Sequence, residues 1–448
     1  MSVNRREFLN AGLAAGCAGA LTGATAPVRA AAAGYRALVV VFLDGGNDGH
    51  NCLVPIDGGY ADYQTSRANL ALAKSTLLEL PGTVADRRFG MHPALSPLVP
   101  LYSAGRLAWI ANVGPLIEPS TARQVLDGAV DVPPFMFSHP DQSAFQQGWT
   151  ADVDQSGWGG RALELLPNEL RHPLAAATMG TQRTLVQGRR SAVSYIATDR
   201  MQYWGQADLR DPSSAYTQRL RRMASWRHAN RYANEYSITL EAALNDSLRT
   251  VEALPDLLPT DASFGSDGLG VRLRLLSALL PGFKANGLRR QVFMVGRSGF
   301  DTHANQRGSE PGTQDAQLSV VAQALSAFDA ATVRAGLDGE VTTLVMSDFG
   351  RTLRPGSGGG SEHGWGNHWV VMGGAIQGRT VHGRFPSLVL GGVDDGDNGR
   401  NGRHVPTTGT DQVGATLVRW LGLPEDRMLE VFPNLTRFVA RSVPIFRG

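Results

Sequence analysis

The apolar positions of the chain fall into two kinds of run. Four runs are nearly continuous: Ala37 to Phe42, Leu107 to Val113, Gln291 to Val295 and Val341 to Met346. Unbroken stretches of β-favouring residues at this length predict strands buried on both faces of a parallel sheet. Others are periodic. Leu318, Val321, Leu325 and Phe328 repeat at helical spacing, as do Val413, Leu417, Trp420 and Leu421, with Thr410 as a cap and Gly422 and Pro424 beyond the end. Gly157 to Leu166 predicts another helix, and so does Met91 to Ala104, entered through His92-Pro93 and closed by Gly105. Trp369 to Met372 and Leu388 to Leu390 predict short strands. Strand and helix signals in alternation predict βαβ units and an α/β fold with a mostly parallel sheet. There is no internal repeat. From about 191 to 260 Arg, Trp, Tyr and Ala dominate, and long helical patterning predicts a helical insertion. Its aromatic and arginine content reads as packing with snorkelling stems rather than as a nucleic-acid surface.

Composition changes this picture mainly at the N-terminus. Asn4-Arg5-Arg6-Glu7-Phe8-Leu9 is a twin-arginine pattern, followed by the mildly apolar Ala11 to Ala26 and by small residues at Val28-Arg29-Ala30 and Ala31 to Ala33. That order predicts an export signal over residues 1–33 and a periplasmic or secreted protein, with no membrane span after processing. Removing its three arginines and one glutamate from the 42 basic and 40 acidic residues leaves the two signs equal. An even balance argues against nucleic acid and against a general attraction to anionic membranes. Of the two cysteines only Cys52 lies beyond the signal, so no internal disulfide is expected.

The candidate chemistry sits where the strands stop. Ligands of open α/β sheets bind beyond the carboxyl ends of the strands, and three runs end there in carboxylates, Asp44, Asp301 and Asp348. Arg351 follows Asp348 closely. His303 follows Asp301, and His363 and His368 return from the glycine-rich loop after Arg351. Carboxylate oxygens and imidazole nitrogens converging at one sheet edge can build a divalent-metal centre, and a guanidinium beside them suits a phosphate. Ser138, before His139-Pro140-Asp141, is read as a helix N-cap. Asp394 to Gly399 lacks the spacing and closing Glu of an EF-hand and is read as a turn-rich surface loop.

Five segments carry a resemblance: Phe42 to Gly49, Ser138 to Gln142, Phe300 to Asn305, Ser347 to Thr352 and His363 to Asn367. With them the chain resembles an uncharacterised, twin-arginine-exported family, the domain of unknown function fifteen-oh-one, within the alkaline-phosphatase and sulfatase-like superfamily. The resemblance implies a doubly wound α/β sandwich, and attack on a phosphate or sulfate ester by a hydroxyl held near one or two divalent metals, zinc, manganese or calcium. On that pattern Asp44, Asp301, His303, Asp348, His363 and His368 are the metal candidates. Ser138 is the nucleophile candidate, and Arg351 would grip the ester oxygens. The chain departs from the pattern in three ways. Phe349 stands where metallophosphatases carry a histidine after the late aspartate, the Asp301-Thr302-His303 spacing is short, and the sulfatase Cys-x-Pro-x-Arg signature is absent. The expected function is an exported hydrolase acting on a small-molecule ester or anionic glycan. The alternative is a non-catalytic binding or assembly protein on a degenerate phosphatase-like fold, working with a co-encoded exported partner.

Overall fold

The computed structural model describes residues 34–84, 86–148, 155–198, 203–255 and 260–448; residues 1–33, where an export signal is expected, lie outside them. Among the described residues nine strands form the main sheet: β1 Arg36–Asp44, β2 Leu107–Gly114, β3 Ala176–Thr178, β4 Ser194–Tyr195, β5 Arg290–Ser298, β6 Val341–Ser347, β7 Asn367–Gly373, β8 Val381–His382 and β9 Thr408–Gly409. Their order is β8-β2-β7-β6-β1-β5-β3-β4, and β9 pairs with β2 beside that path. All pairings are parallel except the two made by β7, which runs against both β6 and β2. The helices that matter here are α1 His139–Gln146, α2 Trp158–Leu165, α3 Ala215–Ser225, α4 Arg231–Glu252, α5 Gly268–Ala285, α6 Gln314–Arg334 and α7 Thr410–Leu421.

The alternation of a strand's side chains divides the protein into two cores. On β1, Ala37, Val39, Val41 and Leu43 face one side and pack with Leu273, Leu276 and Leu280 of α5 and Leu318 and Leu325 of α6. Leu38, Val40 and Phe42 face the other and pack with Trp158 and Ala162 of α2 and Val413, Leu417 and Leu421 of α7. Helices therefore cover both faces, and the fold is α/β and doubly wound, with a mostly parallel sheet between helical layers. A fully buried Leu or Val contributes about 1.5–3 kcal/mol, which is why the central strands read as unbroken apolar runs. Register fixes the site: Leu43 lies opposite Ser347 on one side and Arg297 on the other. Asp44, Asp301 and Asp348 consequently leave the same edge of the sheet.

Several expectations change. Met91 to Ala104 is not one helix. It is the end of a small strand, Phe89–Met91, then a 3-10 helix Pro93–Leu98 and one turn Val99–Ser103. Pro97 and Pro100 remove amide donors that a continuous helix needs. Leu388 to Leu390 forms no strand; Leu388 instead gives its carbonyl to the Ser66 hydroxyl. The insertion opens with β4 and a short hairpin, Tyr203–Trp204 and Ala207–Asp208, and only then becomes helical in α3 and α4. Helix α5 continues beyond it. Thr410 is the first residue of α7, and Gly409 is its cap. The Asp394 to Gly399 segment is a turn-rich loop whose carboxylates are spent within the chain: Asp394 pairs with Arg384, and Asp395 accepts from the amides of Gly391, Asp397 and Gly399. Among the described residues no helix is long and apolar enough to cross a membrane.

Beneath the site the fold buries three histidines together. The His50 ring meets His404 edge-on at 4.8 Å and His368 at 5.8 Å. Burial, with mutual repulsion of the rings, pushes His50 well below the usual range and His368 to about 3; burial also takes His404 to about 4 against the pull of Asp394. The native state holds these rings neutral, whereas in the unfolded chain they titrate near their ordinary value of about 6.5. Their stabilising contribution is therefore complete above about pH 6.5 and is lost as pH falls toward the folded values, by about 1.4 kcal/mol per pH unit for each withheld proton. Urea midpoints should be flat from pH 8 to 7 and fall steeply from 6 to 5, and His404→Gln should show a shallower fall. Equal acid slopes in both proteins would remove the cluster as the cause.

Candidate metal centre and active site

The first loop at the sheet edge is built around glycine. Gly45 and Gly46 have positive φ, 119° and 81°. A Cβ on Gly45 would lie 2.4 Å from the Asp301 amide nitrogen, and one on Gly46 would lie 2.2 Å from the Phe349 ring. Only glycine permits that approach. The turn points both amides at Asp348: Gly46 N–H donates at 2.5 Å and Gly45 N–H at 3.1 Å. A nest of amides of the kind that cradles phosphates thus holds the protein's own carboxylate.

Asp348 is fully buried and passes its charge onward. Its Oδ2 accepts from Nδ1 of His139 at 2.6 Å. That hydrogen bond raises His139 above the ordinary histidine range; burial opposes it, and the charges of Asp348 and Asp301 add to it. The proton held on Nδ1 leaves Nε2 to face Asp301, whose Oδ2 is 3.5 Å away. His363 is held in the same way. Its Nδ1 donates to the Phe137 carbonyl at 2.7 Å, and its Nε2 faces Asp301 Oδ1 at 3.2 Å. Phe137 has φ 71°, an uncommon conformation for a bulky residue, and its amide is braced by Gln142 Oε1 at 2.5 Å. That strained peptide aims its carbonyl at His363. His303 completes the set. Its Nδ1 lies 2.7 Å from Glu362, and its Nε2 is 3.0 Å from Asp301 Oδ1 and 3.0 Å from Nε2 of His363.

Three imidazoles therefore turn Nε2 toward one carboxylate, each with an acceptor behind its Nδ1. This is how proteins orient histidine ligands. Lone pairs 3.0 Å apart, as on His303 and His363, repel unless a proton or a cation lies between them. The donor atoms of His139, Asp301 and His363 lie within 4.8 Å of one another, a spacing that fits one metal ion. Asp301 suits the role of an anionic ligand. Burial would raise its pKa, but the Arg351 hydrogen bond and charge, together with His303 and His363, hold it below the usual range. Asp44 goes the other way, raised by burial and by the charge of Asp348, with His139 opposing. It borders the site but is outside the three-donor set.

Arg351 does not stand open to a ligand, contrary to the role expected for it. It is buried, and each of its nitrogens is engaged: Nε on the Gly46 carbonyl, Nη1 on Ser361, and Nη2 on Gly45, Phe300 and Asp301 Oδ1 at 2.6 Å. Its fork holds the loop and Asp301 in place. His368 is likewise not brought to this set. It stacks on Phe385 at 4.7 Å, and its Nδ1 accepts from the Asn112 amide, which puts the proton on Nε2 and leaves no lone pair for a metal. Ser138 does precede α1, but its hydroxyl makes no capping bond; it donates to Asp141 at 2.5 Å. His139, next to it, was not singled out in the sequence. The signal that could have found it is its place between Ser138 and Pro140, where the first turn of a helix presents a side chain forward. Phe349 packs its ring against His139 at 4.7 Å and His363 at 4.6 Å.

Comparison with known proteins adds the family and little else. No curated protein matches. Among solved structures, the chain is similar to the lipoteichoic acid synthase LtaP from Listeria monocytogenes, with 9% identity, TM-score 0.32, and 88% of this chain and 74% of that one covered. It is also similar to the PsFucS1 sulfatase from Pseudoalteromonas sp., with 10% identity, TM-score 0.36, and coverage of 89% and 70%. Likeness at that level decides neither the activity nor the architecture, which rests on the sheet itself. The family model described as "Protein of unknown function (DUF1501)" spans residues 35–401, from the first strand through every residue of the site just described, and the chain belongs to that family.

Proposed function

We propose that the protein is an exported, metal-dependent hydrolase of phosphate or sulfate esters. The observation that carries this reading is the convergence of three Nε2 atoms on the Asp301 carboxylate, each with its Nδ1 held from behind. His139, Asp301 and His363 would hold the ion, with His303 beside them. When bound, a divalent cation supplies Lewis-acid stabilisation of charge on an ester oxygen. The remaining work belongs to the chain. Ser138 provides the hydroxyl, and Asp141, already accepting its hydrogen bond, takes the proton as the oxygen attacks. Asp44, whose carboxyl pKa is raised by burial and by Asp348, would give a proton to the leaving oxygen. Arg351 keeps Asp301 ionised and fixed, and Glu362 orients His303. The small-molecule ester or anionic glycan that enters is set by contacts beyond these residues.

A second reading is favoured by Phe349. Its apolar ring occupies the floor between His139 and His363 and brings no donor there. A site that binds a metal without turning over an ester would be a scaffold for a co-exported partner.

Titration of the metal-free protein with zinc or manganese should show about one tight equivalent, as three protein donors and an open position imply. His363→Ala and Asp301→Asn should abolish it, and Ser138→Ala should retain it. Unchanged binding in both ligand variants would dismiss the centre. Against a panel of aryl phosphates and sulfates, Ser138→Ala should then lose at least about a thousandfold in kcat with the metal still bound. Undiminished turnover in that variant would remove Ser138 from the mechanism. Tight metal binding with no turnover by the unmodified protein would select the second reading.

A further inference from the structure

The even charge balance of the whole chain conceals a strong local imbalance. From 212 to 234 there are five arginines, Arg219, Arg221, Arg222, Arg227 and Arg231, and no carboxylate. This stretch is α3, the turn after it and the first residues of α4. The two helices pack on each other through a small core of their own, Leu209, Ala224 and Leu244 with Leu220, Leu240 and Leu248, separate from both main cores. Nearly everything else on the stretch is exposed, including all five arginines. Arg227 pairs with Glu241, whereas among the described residues Arg219, Arg221, Arg222 and Arg231 have no carboxylate partner.

Large apolar side chains stand among them. Met223 is 48% exposed, Trp226 52%, Tyr232 80% and Tyr236 68%. Fold stability gives no reason for this, since each such side chain left in water forgoes the burial that would have stabilised it. Tyr195 and Ile238, also exposed, line a groove of about 560 Å³ between β4 and α4.

We propose that this helical hairpin docks on an anionic lipid surface. Indole and phenol rings are favoured at the interface between head groups and acyl chains, where one end of the ring is apolar and the other wet. Arginines beside them meet lipid phosphates, and their stems cover apolar surface while the heads stay in water. An amphipathic helix with a basic polar face and aromatic anchors lies in that plane without crossing it, in keeping with the lack of a spanning helix among the described residues. A soluble anionic polymer would engage the arginines alone and leave Met223 and Ile238 unexplained. A lipid surface engages all of them. The hairpin shares no residue with the metal-centre candidates, so docking would hold the hydrolase at the membrane without occupying its site.

The test is co-sedimentation of the full-length protein with vesicles of phosphatidylglycerol mixed equally with phosphatidylcholine, and with vesicles of phosphatidylcholine alone. Residues 1–33 are common to every sample, so differences between variants report the hairpin. Binding to the anionic vesicles should exceed that to the neutral ones and weaken with salt. The Arg219→Glu, Arg221→Glu, Arg222→Glu triple variant should bind at least about tenfold more weakly, since each basic residue near an anionic surface adds attraction. Trp226→Ser with Tyr232→Ser should weaken binding with unchanged melting temperature. Tryptophan emission should shift blue on anionic vesicles, and that shift should shrink in Trp226→Phe. Equal vesicle binding by the unmodified protein and both variants would overturn the proposal. So would binding abolished equally by soluble dextran sulfate with no blue shift, or a self-association in solution that the same variants dissolve.

Discussion

The buried guanidinium of Arg351 is the interaction on which the rest of the site depends. Taking it out of water is costly, and burial lowers its pKa even though Asp301 pulls the other way. Hydrogen bonds to four backbone carbonyls and one carboxylate offset that cost, and they come from separate parts of the chain. Gly45 and Gly46 follow β1, Phe300 and Asp301 follow β5, and Ser361 lies on the ribbon that leads to His363. Parallel strands share no hairpin turn to hold their ends together. A single planar fork does so here, and it does so at the edge where the carboxylates emerge. Lysine could not reproduce it, because one ammonium cannot reach carbonyls spread around a plane.

Asp348 completes the same knot from below. Its carboxylate fixes the glycine turn through the Gly45 and Gly46 amides and His139 through a single hydrogen bond. The consequence is a division of labour between acids only a few residues from the strand ends. Asp348 is buried and spent on orientation. Asp301 is partly exposed and held ionised by Arg351 and the histidines. Asp44 has its pKa raised by burial and by the charge of Asp348. Environments that drive neighbouring carboxyls apart in pKa are what would let the proposed site contain both a ligand and a proton donor.

Much of the fold was legible because the central strands are covered on both faces, and two-sided burial writes an unbroken apolar run into β1, β2, β5 and β6. The reversal of β7 was not legible, since hydrophobicity carries no direction. Asp301 and His303 could be placed at the sheet edge from the end of their strand, and His363 from the glycine-rich loop that returns after Arg351. His139 could not: its partner Asp348 is 209 residues away, and locally its segment looks like an ordinary helix start. Arg351 shows the converse difficulty. A guanidinium in a glycine-rich strand-end loop looks the same in sequence whether it faces a ligand or is wrapped by carbonyls, and only the approach of Gly45, Gly46, Phe300 and Ser361 decides. His368 was read as a loop residue, but β7 already begins at Asn367, and that strand buries the ring under the sheet edge. The arginine excess of α3 vanished into a balanced total, because net charge sums over surfaces that never meet.

Phe349 brings these threads together. A ligating side chain after the late aspartate would add a donor beneath His139 and His363, and with it room for a second ion. Here the position is fully buried and aromatic, packed at a tilt against both imidazoles and close enough to Gly46 that no Cβ fits between. An apolar floor limits how far the rings can tilt and adds no lone pair. It also lowers the local dielectric, which strengthens the attraction of Asp301 for whatever cation the three Nε2 atoms face. The donor set that remains is compact, rigid and open on the side of Asp301 that faces solvent. Those properties suit a centre that would hold one ion and leave a position for an incoming oxygen, so for the proposed centre they favour one ion where the resemblance allows one or two.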